Sequence, residues 1–215
     1  MISVCVSNKD RSRVMTKRGV ELMLFPNFVK SLVEASKKIN FPLELIIVDY
    51  ESIDYPLNEW IYEMVGDNIF LKIISLSHDE VFSRGKALNI AASNSKYDYL
   101  FFCDTDMLLD ETVLNNGLKY LNEGNTYYPM FFSYSNYEHN TGWWRNASWG
   151  MTFVRKDVWE QTKIPEYYVW GGEDDHFRDK IMTITPIIRE HCNNLYHQWH
   201  PLVKESTTRG IQDDE

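Results

Sequence analysis

The first half of the chain alternates short apolar runs with segments of helical periodicity. Leu43–Val48 is a nearly continuous run of leucine and β-branched residues, and Ile69–Ile74 is another. Ile2–Val6 and Tyr97–Cys103 are two further strand candidates. Such runs are expected for strands that are buried on both faces of a sheet. Segments such as Gly85–Ser95 carry apolar residues at helical spacing between them. This βαβαβαβ order predicts an α/β fold with a mostly parallel sheet and helices on both faces.

The second half has a different character. Tyr127–Tyr134 and Trp149–Val154 are strand-like but rich in aromatic residues, and the polar, tryptophan-rich segment Ser135–Ser148 separates them. No internal repeat, low-complexity tract or interdomain linker is visible, so a single domain over 1–215 is predicted, with a polar tail at 205–215. A helix is predicted from Glu173, with Phe177, Ile181 and Ile184 on its apolar stripe.

Net charge limits the range of partners. A formal charge of −9 argues against a protein built mainly to hold a phosphate backbone. A basic cluster after the first apolar run is the local exception, and it reads equally as a solvated helix start or as an anion-binding segment. Its members are Lys9, Arg11, Arg13, Lys17 and Arg18.

The cysteines indicate the compartment. Cys5, Cys103 and Cys192 are far apart and show neither metal-ligand nor redox spacing. Because stable disulfides belong to oxidising compartments, this set predicts a reduced, cytoplasmic environment. No apolar run reaches the roughly 18 residues that a membrane span needs, so no span is predicted.

Two carboxylates follow the fourth predicted strand. Asp104 and Asp106 come directly after Cys103, and residues i and i+2 of an extended chain face the same side. Open α/β sheets bind ligands at this carboxyl edge. Mn²⁺ and Mg²⁺ take carboxylate oxygens and share their coordination shell with substrate phosphates. A capped turn at the strand end is the alternative, and the position after a buried strand favours the metal site.

Three consecutive carboxylates, Glu173, Asp174 and Asp175, follow Gly171 and Gly172. The helix dipole favours acidic residues in a first turn, but it explains three in a row poorly, because adjacent like charges repel and raise at least one pKa. A carboxylate held near a hydroxyl acts as a general base. The cluster is therefore the predicted catalytic centre, and the glycines allow close backbone approach.

Aromatic and histidine side chains complete the candidate site. Trp143, Trp144 and Trp170 offer flat faces to a sugar or a nucleobase, with core packing as the ordinary alternative. Together with Gly171 and Gly172 they are the predicted acceptor contacts. One late histidine is expected to join Asp106 as a metal ligand, although a surface histidine is the commoner case for each taken alone. The late histidines are His191, His197 and His200.

Several blocks taken together resemble the GT-A fold glycosyltransferases, specifically the inverting branch that includes bacterial chondroitin polymerase domains and the β-1,4-galactosyltransferases. Two segments depart from the family pattern: Ser7–Arg11 lacks the usual Pro-x-x-Asn-Arg, and Asp49 stands where many relatives carry two aspartates. The matching blocks in chain order are Phe82–Ala91, Tyr97–Leu109, Trp149–Asp157, Trp170–Phe177 and Tyr196–Gln198.

The resemblance implies a Rossmann-like sheet with a smaller, aromatic-rich acceptor side, in which about 1–106 binds a nucleotide-sugar and about 107–204 carries the acceptor and catalytic groups. It implies Mn²⁺ or Mg²⁺ on Asp106 and His197, with Asp104 near the metal or the ribose. It implies Asp174 as the base, with Glu173 and Asp175 orienting the donor or the acceptor. On the donor side it implies Arg84 and Asn89 near the diphosphate, and Asp49 with Arg11 near a uridine base.

The predicted function is therefore metal-dependent, inverting transfer of a sugar from a nucleoside diphosphate sugar, with uridine favoured, to a hydroxyl. The acceptor class stays open among a glycan, a protein, a small molecule and, less favoured, a hydroxylated base in nucleic acid. A nucleotidyltransferase is one alternative, but no glycine-rich loop follows Val6. A non-catalytic sugar-binding module is the other, and it would leave the acidic and histidine residues without a role.

Overall fold

The computed structural model describes residues 1–168 and 171–201 of the chain. The strands in these ranges are β1 (Ile2–Asn8), β2 (Val14–Met15), β3 (Glu21–Leu22), β4 (Leu43–Asp49), β5 (Phe70–Ser75), β6 (Tyr99–Phe102), β7 (Met107–Leu109), β8 (Thr126–Tyr134), β9 (Gly142–Trp144), β10 (Thr152–Arg155) and β11 (Ile187–His197). The α-helices are α1 (Leu24–Ser36), α2 (Ile61–Val65), α3 (Arg84–Ser93), α4 (Glu111–Asn122), α5 (Lys156–Thr162) and α6 (Glu173–Ile181), and Leu57–Glu59 forms a 3₁₀ helix.

One large sheet organises the molecule. Its strands run in the order β5-β4-β1-β6-β10-β8-β11-β7, and β9 pairs with β8. The first four are parallel to one another, whereas β10 and β7 are antiparallel to their neighbours. The predicted α/β architecture with a mostly parallel sheet is therefore confirmed, and the antiparallel strands come from the aromatic-rich half of the sequence.

Each face of the sheet has its own hydrophobic core. Along β1, Val4 and Val6 pack into the core that α1, α2 and α4 cover, whereas Cys5 packs into the core that α3, α5 and α6 cover. Both cores are closed by helices, so the central strands have no solvated face. This is why β1, β4 and β6 read as continuous apolar runs and not as alternating ones.

Two expectations about individual elements are wrong. The run Ile69–Ile74 reads as a strand buried on both faces, but β5 is the outermost strand, and Phe70 and Lys72 are exposed because β5 has a neighbour on one side only. Ile184 does not share the stripe of Phe177, because α6 ends at Ile181 and leaves Ile184 42% exposed. Apolar runs and apolar spacing alone do not reveal where a sheet or a helix ends.

The basic cluster near the N-terminus does not begin a helix. β2 and β3 form a separate hairpin, with Val14 opposite Leu22. Two backbone hydrogen bonds close its turn, from Thr16 N to Val20 O and from Gly19 N to Thr16 O. Gly19 adopts a φ of 77°, which glycine takes without steric cost. The helix-start interpretation is therefore wrong, because a tight turn ends the segment.

Helix length bears on the membrane prediction. Across residues 1–168 and 171–201, no helix combines the length and apolar character that crossing a membrane requires. The predicted tail at 205–215 lies outside the described residues. The single domain over 1–215 and its two functional halves stay predictions.

Gly117 in α4 packs against the Phe153 ring of β10. An added Cβ would lie 2.3 Å from ring atoms Cδ1 and Cε1, and this ring already stacks on Phe101 with centroids 3.8 Å apart. Alanine favours a helix over glycine by about 1 kcal/mol, but overpacking a tight core costs roughly 1–3 kcal/mol. We therefore expect Gly117→Ala to lower the free energy of unfolding. Urea denaturation measures this free energy, with Asn115→Ala at an exposed site of α4 as the control variant. Equal stability of the two variants would contradict the packing argument.

Candidate functional site

Asp106 meets two histidines at one edge of the sheet. It directly precedes β7, which pairs with the end of β11 so that Met107 lies opposite His197. The Nε2 atoms of His197 and His200 lie 3.7 Å and 3.3 Å from Asp106 Oδ2. One ligand atom from each of the three residues lies within 4.8 Å of the other two. The strand register thus joins residues that are far apart in the sequence.

The donor set of these three residues fits a divalent metal. Asp106 Oδ1 is buried and has no hydrogen-bond partner among the described residues, although buried polar atoms are normally paired. Burial lowers the pKa of His197, an effect that Asp106 opposes, and a lower pKa favours the neutral imidazole that a metal ligand needs. Burial would raise the pKa of Asp106, but the neighbouring His197, His200 and Arg11 hold it well below its usual range. One carboxylate and two imidazoles suit Mn²⁺ or a similar ion.

A buried glutamine anchors the segment between the two histidines. Gln198 is 2% exposed, and its backbone N–H donates to Asp106 O at 2.9 Å. Its side-chain amide donates to Leu24 O and accepts from Asn27 Nδ2, both at 2.9 Å. These bonds tie the histidines to the start of α1. Sequence reasoning assigned Gln198 no role, and its place between two histidines was the available signal.

Arg84, the first residue of α3, joins the two acidic motifs. Its guanidinium donates from Nε to Asp104 Oδ1 at 2.7 Å and from Nη1 to Asp174 Oδ1 at 2.6 Å. Its Nη2 donates to Gly150 O at 2.8 Å, and the side chain is 14% exposed. Two nitrogens of a largely buried cation thus hold Asp104 and Asp174 together, and the third binds the backbone at Gly150.

Asp104 and Asp106 do not face the same side. Asp104 turns to Arg84, whereas Asp106 turns to the histidines. The expectation of a shared side is wrong because the chain leaves the extended conformation after β6, and Thr105 and Asp106 form a turn. Asp104 is accordingly not a member of the three-residue cluster that the described residues form around Asp106.

The carboxylates in the first turn of α6 have three different environments. Asp175 pairs with Arg178 at 2.7 Å, and its side chain is 57% exposed. Glu173 is buried, and its Oε2 has no partner among the described residues. Burial raises the pKa of Asp174 to about 6, an effect that Arg84 opposes and that Glu173 and Asp104 increase. Asp174 is thus the member of the cluster that combines contact with Arg84 and a pKa suited to proton transfer.

Gly150 leaves room for this contact. A Cβ at this position would lie 3.2 Å from Asp174 Oδ2 and 3.6 Å from both Arg84 Nη2 and Asp104 Oδ2. Its carbonyl also accepts from Arg84. A side chain here would therefore crowd the Asp174 carboxylate and reach ordinary contact distance from Arg84 and Asp104. Sequence reasoning assigned this glycine no role of its own.

Two more glycines set the start of α6. Gly171 and Gly172 adopt φ values of 88° and 93°, in the left-handed region that disfavours residues with a Cβ. Gly172 is the N-cap of α6, so this geometry orients the acidic turn that follows. Trp170, a predicted acceptor contact, lies outside the described residues.

Two predicted donor-side residues have partners within the protein. Asp49 Oδ1 accepts hydrogen bonds from Asn8 Nδ2 at 2.8 Å and from Ser52 Oγ at 2.6 Å, which stabilises the loop at the ends of β1 and β4. Asn89 Oδ1 accepts from Trp159 Nε1 at 3.0 Å, and its amide nitrogen donates to the carbonyl of residue 164 at 2.8 Å. Arg11, in contrast, lies with Nη1 3.3 Å from His200 Nδ1, at the Asp106 cluster.

Trp143 and Trp144 lie on opposite faces of the sheet, because consecutive strand residues alternate. Trp143 of β9 is the register partner of Ser133 in β8, and Ser133 is in turn the register partner of His197 in β11. Register partners point to the same face of a sheet, so Trp143 and His197 share a face. Trp143 is 50% exposed. Trp144 instead stacks on His191 with centroids 4.3 Å apart, and His191 is therefore not part of the cluster around Asp106.

Solved structures share this fold. S. aureus TarS 1–349 in complex with UDP-GlcNAc superposes with a TM-score of 0.73 at 15% sequence identity, over 97% of this chain and 61% of that one. The mannosyltransferase PcManGT from Pyrobaculum calidifontis, in complex with GDP-Man and Mn²⁺, gives 0.63 at 15% identity, over 91% of this chain and 56% of that one. The chain thus spans less than two thirds of either relative's length. At these identities the likeness shows the fold alone, and no curated protein sequence matches.

The family assignment comes from the sequence. The family model described as glycosyl transferase family 2 matches residues 23–194, which include Asp104, Asp106 and the carboxylates of α6. The match covers most of the chain and both acidic motifs. The chain belongs to glycosyl transferase family 2.

Proposed function

We propose that the chain is a metal-dependent, inverting glycosyltransferase that moves a sugar from a nucleoside diphosphate sugar to an acceptor hydroxyl. The observation that carries this proposal is the Arg84 bridge, which holds Asp174 beside Asp104, two residues from the histidine-bound Asp106. Arg84 therefore links the candidate proton acceptor to the chain segment that carries the candidate metal ligand. Family membership supplies the class of reaction.

The donor diphosphate would bind at the Asp106 cluster. Bound by Asp106, His197 and His200, Mn²⁺ or Mg²⁺ would supply Lewis acidity that stabilises the leaving diphosphate. Arg11 lies 3.3 Å from His200, and we assign its cationic group to the diphosphate and not to the base. This changes the expectation that Arg11 contacts the nucleobase.

The donor base is proposed to be uridine, near Asp49. The structural relatives were solved with UDP-GlcNAc and with GDP-Man, so the shared fold accepts both nucleosides. Support for uridine comes from the resemblance to uridine-dependent enzymes. Asp49 lies at the carboxyl end of β4 with its carboxylate held by Asn8 and Ser52, which gives this end of the sheet a fixed shape for the base.

The transfer step uses Asp174 as the general base. Its carboxylate takes the proton of the acceptor hydroxyl while the hydroxyl oxygen forms a bond to the anomeric carbon. The bond from that carbon to the diphosphate oxygen breaks, and its electron pair leaves with the nucleoside diphosphate. Attack opposite the leaving group inverts the anomeric configuration. Glu173, which is buried beside Asp174, would orient the sugar and the acceptor. Asp175 is exposed and paired with Arg178, so we do not assign it this role.

The acceptor side of the proposal rests on Trp143. Its exposed ring lies on the same face of the sheet as His197, and such a ring packs well against the apolar face of a sugar. Trp144 lies on the opposite face, so we do not assign it to the same acceptor. A neutral glycan, protein or small molecule agrees better than nucleic acid with the net charge of −9.

A donor screen tests the proposed function. Purified protein is incubated with uridine and guanosine diphosphate sugars and Mn²⁺, and the released nucleotide is measured with and without a chelator. We expect release of a nucleoside diphosphate that depends on the metal. Release of pyrophosphate would identify a nucleotidyltransferase, and the absence of any release across donors and candidate acceptors would favour a binding module.

A further inference from the structure

One hydroxyl contacts the imidazole of His197 on the side away from Asp106. Ser133 Oγ lies 3.2 Å from His197 Nδ1, and Ser133 is 3% exposed. The strand pairing determines this contact, because Ser133 in β8 is the register partner of His197 in β11. Its immediate neighbours in β8, Phe132 and Tyr134, are aromatic. A small hydroxyl residue thus stands where His197 requires a polar partner.

The two ring nitrogens of His197 have different partners. Nε2 lies toward Asp106, at 3.7 Å from Oδ2, and Nδ1 lies toward Ser133. Binding of a metal through Nε2 requires a lone pair on that atom, so the neutral ring carries its proton on Nδ1. Ser133 Oγ then accepts the hydrogen bond from Nδ1–H. This bond is compatible with the tautomer that metal binding requires, and it orients the ring so that Nε2 is free for a metal.

We propose that Ser133 is a positioning residue of the metal site and acts through His197. The inference rests on the proposed function, because it takes Asp106, His197 and His200 as the metal ligands. Hydrogen-bond partners of metal-bound histidines commonly account for a 10–100-fold effect on metal affinity. Phe131 stacks on the same imidazole with centroids 6.2 Å apart, so the ring has one packing contact and one polar contact that orient it.

Ser135 provides a matched control. It lies two residues further along the chain, is exposed, and bonds Thr141 Oγ1 at 2.6 Å through its hydroxyl. Ser133→Ala and Ser135→Ala therefore remove the same group from neighbouring positions, but only Ser133 contacts His197. Ser133→Thr keeps a hydroxyl at the site and serves as the conservative rescue.

The test is the Mn²⁺ dissociation constant of the whole chain, measured without substrate from the paramagnetic resonance signal of free Mn²⁺. We expect the constant to rise about 10–100-fold in Ser133→Ala, to stay at the wild-type value in Ser135→Ala, and to recover largely in Ser133→Thr. Thermal unfolding without metal, measured in parallel, separates a loss of folding from a loss of binding.

Two outcomes overturn the inference alone. They are a Ser133→Ala protein that binds Mn²⁺ as tightly as the wild type, and an equal loss of affinity in Ser135→Ala. A wild-type protein that binds no Mn²⁺ overturns both the inference and the metal dependence of the proposed function. A Ser133→Ala protein that is less stable but has unchanged metal affinity shows that the serine has a structural role only.

Discussion

Replacement of Asp174 by asparagine is expected to lower the rate of sugar transfer by roughly 10²-fold or more, the usual contribution of a general base. Asparagine keeps the size and a hydrogen-bond acceptor for Arg84 but cannot take a proton. The affinity for the donor should change little, because the Asp106 cluster and Arg11 lie at the proposed diphosphate site. The loss should therefore appear in kcat at saturating donor and not in the dissociation constant of the nucleotide.

Asp175→Asn is the matched control for this variant. Asp175 is the adjacent residue of the same turn, but its carboxylate is exposed and pairs with Arg178. We expect Asp175→Asn to retain most of the activity. Near-normal turnover in Asp174→Asn contradicts the assignment, and a larger loss in Glu173→Gln than in Asp174→Asn moves the base to the buried neighbour.

The pH profile gives a second readout of the same base. Burial raises the pKa of Asp174 to about 6. Below that pH the carboxyl is protonated and cannot accept the acceptor's proton, and above it the ionised form is present. We therefore expect kcat/KM to rise as pH rises through about 6 and to level off above it. The Asp174→Asn protein should lose this rise.

Replacement of Asp106 by alanine is expected to reduce turnover to the level of chelator-treated wild type. Asp106 Oδ2 faces both His197 and His200, and Oδ1 has no partner in the described part of the chain. Alanine removes the only carboxylate of the three-residue cluster. The two imidazoles alone then provide no anionic ligand for a hard divalent cation.

Activity across a Mn²⁺ titration, together with the Mn²⁺ dissociation constant, measures this effect. Asp67→Ala is the control, because Asp67 is an exposed aspartate and its removal is expected to change nothing. Circular dichroism of both variants checks that the fold is retained. Full activity of Asp106→Ala in chelator-treated buffer resupplied with Mn²⁺ refutes the metal assignment.

The parallel half of the sheet was predictable because its signal is local. Strands that are buried on both faces carry mostly apolar residues, and β1, β4 and β6 show this directly. The position of β5 at the edge was not predictable, because an apolar run does not state how many neighbours the strand has. The antiparallel insertion of β10 between β6 and β8 likewise depends on long-range pairing that no local pattern encodes.

The site was predictable as a set of residue types but not as an arrangement. The resemblance and the acidic motifs named Asp106, His197 and Asp174, whereas the separation of Asp104 from Asp106 arises from a turn after β6. His200 joins Asp106 because Gln198 anchors the chain between the histidines. These features depend on strand register and loop geometry, which spacing along the chain does not specify.

The tryptophans show the same limit. Trp143 and Trp144 are adjacent and chemically equal in the sequence, and both are reasonable sugar contacts. The register of β9 with β8 separates them, because it places Trp143 in the row of Ser133 and His197 and directs Trp144 to the opposite face. Only three-dimensional pairing can make this distinction.

The anomeric configuration of the transferred sugar distinguishes a single displacement from a retaining mechanism. The central claim is that Asp174 activates the acceptor for a single displacement at a metal-bound nucleoside diphosphate sugar. With a donor and an acceptor that support turnover, the coupling constant of the anomeric proton in the product is read by NMR. A single displacement gives a product whose configuration is opposite to that of the donor, and a product with retained configuration rules out this mechanism.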